Sequence, residues 1–149
     1  MPQPPHILLV ANRAQATARL AAAVRARAAR GPAVFHLVVP VQPPGLHRLV
    51  DPQEGDGGVA EALLDAALPE LSAAAGAPVT GHVGDAEPLM AIQDALSMAD
   101  YDEIVISTAP RHLAHWLRLD LVSKARGLGL PVTHVEAEDA RPPTASASR

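Results

Sequence analysis

The chain has 149 residues, 30 of them Ala and only three aromatic (Phe35, Tyr101 and Trp116), with no Cys and a formal net charge of −4. The missing Cys excludes disulfides, thiolate metal sites and cysteine nucleophiles, while the acidic balance and scarcity of aromatics argue against a nucleic-acid partner. The longest apolar runs are about five residues, far below the ~18 of a membrane span, and Met1-Pro2-Gln3-Pro4-Pro5 lacks a signal-peptide pattern, so a cytoplasmic protein with no membrane partner is expected.

His6-Ile7-Leu8-Leu9-Val10-Ala11 is a continuous apolar run, the pattern of a strand buried on both faces. Over residues 14–30 the period becomes helical, with Thr17, Leu20, Ala21, Val24 and Ala28 on one stripe and Arg19 and Arg30 opposite. Gly31-Pro32 stops that helix. Residues 33–39 form a second apolar strand, and 40–58, with four Pro and four Gly, reads as a long loop and a candidate lid. Residues 59–75 read as a helix carrying Leu63, Leu64, Ala67 and Leu71 inward, and Pro69 is expected to kink or split it.

Residues 78–83 form a third strand. Asp85 is the expected cap of the next helix, Pro88 fits its first turn, and Leu89, Ile92 and Leu96 face inward. A fourth strand over 103–107, a helix over about 113–128 and a fifth strand over 131–136 follow. Residues 1–5 are expected to be flexible and the Pro/Ser/Ala-rich 137–149 a disordered tail, leaving one domain over 6–136.

Strand and helix alternate throughout, which predicts a single α/β domain: a five-stranded parallel sheet with helices on both faces. A ligand belongs beyond the carboxyl ends of the strands, where strand order reverses. That rule points to Asn12, Val39, Gly84–Asp85, and the stretch from Ser107 and Thr108 to Arg111.

Three segments carry a family resemblance. They are Ile7-Leu8-Leu9-Val10-Ala11-Asn12, then Val83-Gly84-Asp85-Ala86-Glu87-Pro88 running on to Tyr101-Asp102-Glu103-Ile104-Val105-Ile106, and Gly129-Leu130-Pro131-Val132-Thr133-His134-Val135. In order and spacing they resemble the universal stress protein family, with its adenine nucleotide alpha hydrolase-like, Rossmann-like architecture. The resemblance spans residues 7–135 and implies strand order 3-2-1-4-5 and a homodimer joined through the last strand. It also implies a role in the stress response. The Arg bias, eleven against one Lys, is the codon signature of a GC-rich bacterium.

Many members of that family bind ATP through Gly, two residues, Gly, nine residues, then Gly and Ser or Thr. Those glycines let the backbone wrap a triphosphate, and the helix start holds phosphate on free N–H groups. Here the spacing falls on Ser107, Pro110, Asp120 and Leu121. Pro110 has no N–H to donate. Asp120, read as lying at a helix start, would cap the amides and repel a polyanion, and Leu121 lacks a hydroxyl. Asn12 stands where nucleotide-binding members usually carry Asp. The motif is degenerate, so no ATP cofactor bound in the family's usual way is expected.

The same region holds Arg111, His112, His115 and Arg118. One reading is a metal site, which the flanking Arg residues oppose. A second is a small anion held by Arg forks. The third is a solvated or partner-facing surface, with Trp116 as an anchor for an unknown protein partner. His36 reads as a satisfied core residue, His82 ends a strand, and Val132 and His134 sit where a dimer seam would run. No nucleophile elbow, P-loop or dinucleotide fingerprint is present, so no catalytic residue is nominated and enzyme activity is not expected. The leading expectation is a binding or signalling homodimer. The alternative is a small-molecule, anion or residual-nucleotide binder built on Asn12, Val39, Ser107, Thr108, Arg111, His112 and Asp120.

Overall fold

A computed structural model describes residues 3–11, 14–41, 56–108 and 115–136. In chain order the elements are β1 (His6–Val10), α1 (Ala14–Ala29), β2 (Val34–Pro40), α2 (Asp56–Ala75), β3 (Thr80–Gly84), α3 (Pro88–Met98), β4 (Glu103–Thr108), α4 (His115–Arg126) and β5 (Val132–Glu136). The strands form one parallel sheet in the order β3-β2-β1-β4-β5. This is the predicted architecture.

The apolar strand runs are explained by burial on two faces. Ile7, Leu9, Phe35, Leu37 and Val39 pack with Leu20, Ala21 and Val24 of α1 and Leu64, Ala67 and Leu71 of α2. On the other face Leu8, Val10, Val38, Ile104 and Ile106 pack with Ala91, Ile92 and Ala95 of α3 and Val122 and Ala125 of α4. Side chains alternate between faces along each strand, so a strand sandwiched between helix layers must be apolar throughout. Alanine dominates the helix faces and lets the helices lie close to the sheet.

Several boundaries depart from the sequence expectations. β2 runs through Pro40, and α2 begins at Asp56, so the predicted loop is shorter at both ends. Its central residues, 42–55, lie outside the described residues, as do 1–2 and 137–149. α2 is assigned as one continuous helix through Pro69 and is not split there. Pro69 is on the solvent side, and Asp65, whose carbonyl loses that N–H partner, is exposed as well, so the missing bond leaves no buried polar group.

The cap of α3 also differs from the expectation. Glu87 is the N-cap, accepting from the Leu89 N–H at 2.9 Å. Asp85 accepts from the Glu87 N–H at 2.8 Å and shapes the turn that leads into it. The reason is register: Pro88 takes the first helical position, which puts the cap one residue before it.

Candidate functional site at the carboxyl end of the sheet

The strand order places β1 beside β4, with β2 and β3 on one side and β5 on the other. Chain leaving β1 crosses toward β2, and chain leaving β4 crosses toward β5. The connections diverge, and in a sheet of this topology a ligand crevice is expected above the carboxyl ends of β1 and β4. Ala11 lies at the end of β1, its N–H donating to the Val38 carbonyl at 3.4 Å. On the β2 side, the Val41 N–H donates to the Gly84 carbonyl at 3.1 Å and ties the exits of β2 and β3 together.

β4 supplies polar groups. Ser107 and Thr108 are buried hydroxyl residues at its end, and Thr17 of α1 is the third buried polar residue among those described. Strand alternation sends Ser107 toward the α1–α2 layer and Thr108 toward the α3–α4 layer. The Thr108 hydroxyl shares a 2.8 Å hydrogen bond with His134 Nε2. His134 stands opposite Ile106 in the β4–β5 register and so reaches the end of β4 from the neighbouring strand.

Apart from Asp120, the expected ligand-site residues divide into three groups. Ser107 and Thr108 lie at the carboxyl end of β4. Val39 is fully buried in the α1–α2 core, so it can offer a ligand only main-chain groups. Asn12, Arg111 and His112 lie outside the described residues, as does Pro110. Trp116 falls in α4, and its side chain is also outside them, as are those of His115 and Arg118.

Asp120 requires a correction. α4 begins at His115, so Asp120 is in the second turn and not at the helix start. Its carboxylate is exposed and pairs with Lys124 at 3.2 Å, one turn along the helix. The capping argument therefore does not hold, and what remains at this position is an exposed carboxylate on the helix surface.

The two residues assigned to a dimer seam have inward side chains. Val132 packs into the α3–α4 core, and His134 binds Thr108. Sequence reasoning had not linked His134 to Thr108. The available signal was that a parallel neighbour of β4 would place a polar side chain beside its terminal hydroxyls.

Among the described residues no group of three or more His, Asp or Glu side chains could hold a metal ion, and no helix is long and apolar enough to cross a membrane.

No family model matches the sequence, and no curated protein matches it. Solved structures do. A universal stress protein in complex with cAMP superposes with a TM-score of 0.64 at 14% identity, over 92% of this chain and 100% of the other. The universal stress protein of Archaeoglobus fulgidus in complex with dAMP gives 0.61 at 23% identity, over 91% and 99%. A universal stress protein family protein of Arabidopsis thaliana with AMP bound gives 0.64 at 12% identity, over 97% and 99%. At these identities the likeness establishes the fold.

Proposed function

We propose that this protein is a stress-response binding and signalling protein of the universal stress type, that it acts as a homodimer, and that it does not bind ATP through the family's glycine loop. The observation that carries this reading is the end-to-end likeness to universal stress proteins. It is joined by the sequence from the end of β4 onward, in which Ser107, Pro110 and Asp120 stand at the motif's three glycine positions and Leu121 at its Ser or Thr position. Without glycines the backbone cannot fold closely around a triphosphate, and Pro110 removes one donor outright.

A second reading is favoured by the ligands of the similar structures, which are cAMP, dAMP and AMP. Each carries a single phosphate. The carboxyl ends of β1 and β4 would then take a small anion or nucleoside monophosphate, with Ser107 and Thr108 at the end of β4 and with Asn12, Arg111 and His112, which follow β1 and β4 in the sequence, as further candidates. Arg111 would supply the fork for a phosphate.

Isothermal titration separates the readings. The first expects no saturable heat with Mg-ATP at millimolar concentration. Saturation by ATP at tens of micromolar would overturn it. Saturable binding of AMP without ATP binding would support the second reading. Native mass spectrometry of the freshly purified protein adds an independent check, since a retained adenylate would be weighed directly.

A further inference from the structure

Away from the candidate site, two imidazoles meet on the α3–α4 face of the sheet. His36 of β2 and His82 of β3 both project there, two residues apart in register on neighbouring parallel strands. His36 Nε2 and His82 Nδ1 are 2.7 Å apart, and the ring centroids lie 4.9 Å from each other at an interplanar angle of 32°. The other nitrogen of His36, Nδ1, shares a 2.7 Å hydrogen bond with the Thr80 hydroxyl of β3. All the ring nitrogens of His36 are therefore committed to β3.

We propose that His36 and His82 form a one-proton latch that holds edge strand β3 on the sheet and releases it when a second proton arrives.

A hydrogen bond between two imidazole nitrogens needs one donor and one acceptor. The neutral pair satisfies this, with Thr80 adjusting as donor or acceptor to the tautomer. One added proton also satisfies it, because an imidazolium can donate to a neutral ring. Two added protons set N–H against N–H and put two positive charges within contact distance. The bond must then break. It is the second proton on the pair, and not the first, that opens the latch.

The surroundings favour this order. Burial first, and then the neighbouring His82, hold the His36 imidazole below its ordinary value of 6.5. On the β4 side the titratable neighbour is Tyr101, with ring centroids 6.4 Å apart, and burial raises its phenol, so it stays neutral. β1 presents Leu8 at the His36 register, with His6 two residues earlier on the same face. α3 packs through Ala91, Ile92 and Ala95, while Glu87 and Asp94 are exposed. Among the described residues no carboxylate pairs with either ring to relieve a second charge. A folded value depressed below the unfolded one means that neutral His36 stabilises the fold above the unfolded value of 6.5. That contribution drains away as pH falls from there through the lowered folded value.

The consequence is local because β3 has a single neighbour, β2. Its far end, Gly84, also holds Val41, so loosening β3 reaches the carboxyl end of the sheet.

Hydrogen exchange of the full chain tests the latch. Exchange of β3 amides is measured relative to core β1 amides, corrected for intrinsic chemistry, at about pH 8 and about pH 5, on either side of the ordinary imidazole value. The wild type is expected to show β3 opening increased several-fold at the lower pH, the direction that the lowered His36 value requires. His82→Asn keeps a polar partner for His36 Nε2 but removes the second imidazole, and is expected to reduce the acid-dependent increase, leaving the part due to burial of His36. His36→Gln serves as the second variant and should remove that part as well. A pH-independent β3-to-β1 ratio in the wild type overturns the proposal, and so does an undiminished increase in both variants.

Discussion

A Cβ built on Gly81 would lie 2.6 Å from Leu64 Cδ1 and 2.9 Å from the Leu37 carbonyl oxygen. The leucine tip can rotate away, but the carbonyl belongs to the β2–β3 ladder and cannot. Gly81→Ala should therefore cost about 1–3 kcal/mol through overpacking. The urea midpoint should fall with an unchanged m-value, and an unshifted midpoint would show that the contact relaxes freely. Gly84 is tight on the opposite face, with a Cβ placed 2.8 Å from Val38 Cγ2 and 3.0 Å from Ala91 Cβ. Neither constraint was legible in sequence, because a strand glycine looks the same whether it faces solvent or a helix. The placement of Ser107 and Thr108 at the carboxyl end of β4 was legible, since it needs only the end of a strand pattern. The His134–Thr108 bond and the true cap at Glu87 were not, because each depends on register to one residue.

At the scale of the element, each strand and helix was legible from periodicity, and the errors fell at the ends. Burial dictates apolar content over the middle of an element, whereas its termini are set by single hydrogen bonds that leave no period. Pro69 is the instructive case. Proline predicts a break, yet α2 runs continuously from Asp56 to Ala75. Its inner face carries Leu64, Ala67 and Leu71, all buried against the sheet, and this burial outweighs one missing backbone bond. The cost should still be present. Pro69→Ala restores the N–H at an exposed position and is expected to raise stability by up to about 3 kcal/mol. Thermal unfolding would register this as a higher Tm. A lower Tm would mean that the proline ring itself is required, for packing or for limiting the unfolded chain.

At the scale of the whole molecule, the sheet leaves β5 as an edge, and the proposed dimer can be tested through which of its backbone groups are unused. The Ile104 N–H donates to the Pro131 carbonyl at 2.9 Å. In a parallel strand the N–H and C=O of one residue point the same way and alternate along the chain. Pro131, Thr133 and Val135 therefore serve β4, and Val132 and His134 turn their backbone groups outward. An edge of this kind invites a second copy of itself. Replacing Val132 by Pro removes one outward N–H and leaves the ladder to β4 untouched. It also follows Pro131, which already holds the extended conformation that a residue before proline requires. The proposed dimer predicts that sedimentation equilibrium of the wild type at roughly 100 µM reads twice the chain mass, as for a Kd near 1 µM or about −8 kcal/mol. Val132→Pro should then sediment as a folded monomer, with wild-type circular dichroism. Thr133→Pro should instead lose stability, because its N–H faces β4. A wild type that is monomeric at that concentration, or a Val132→Pro variant that stays dimeric, would remove β5 as the seam.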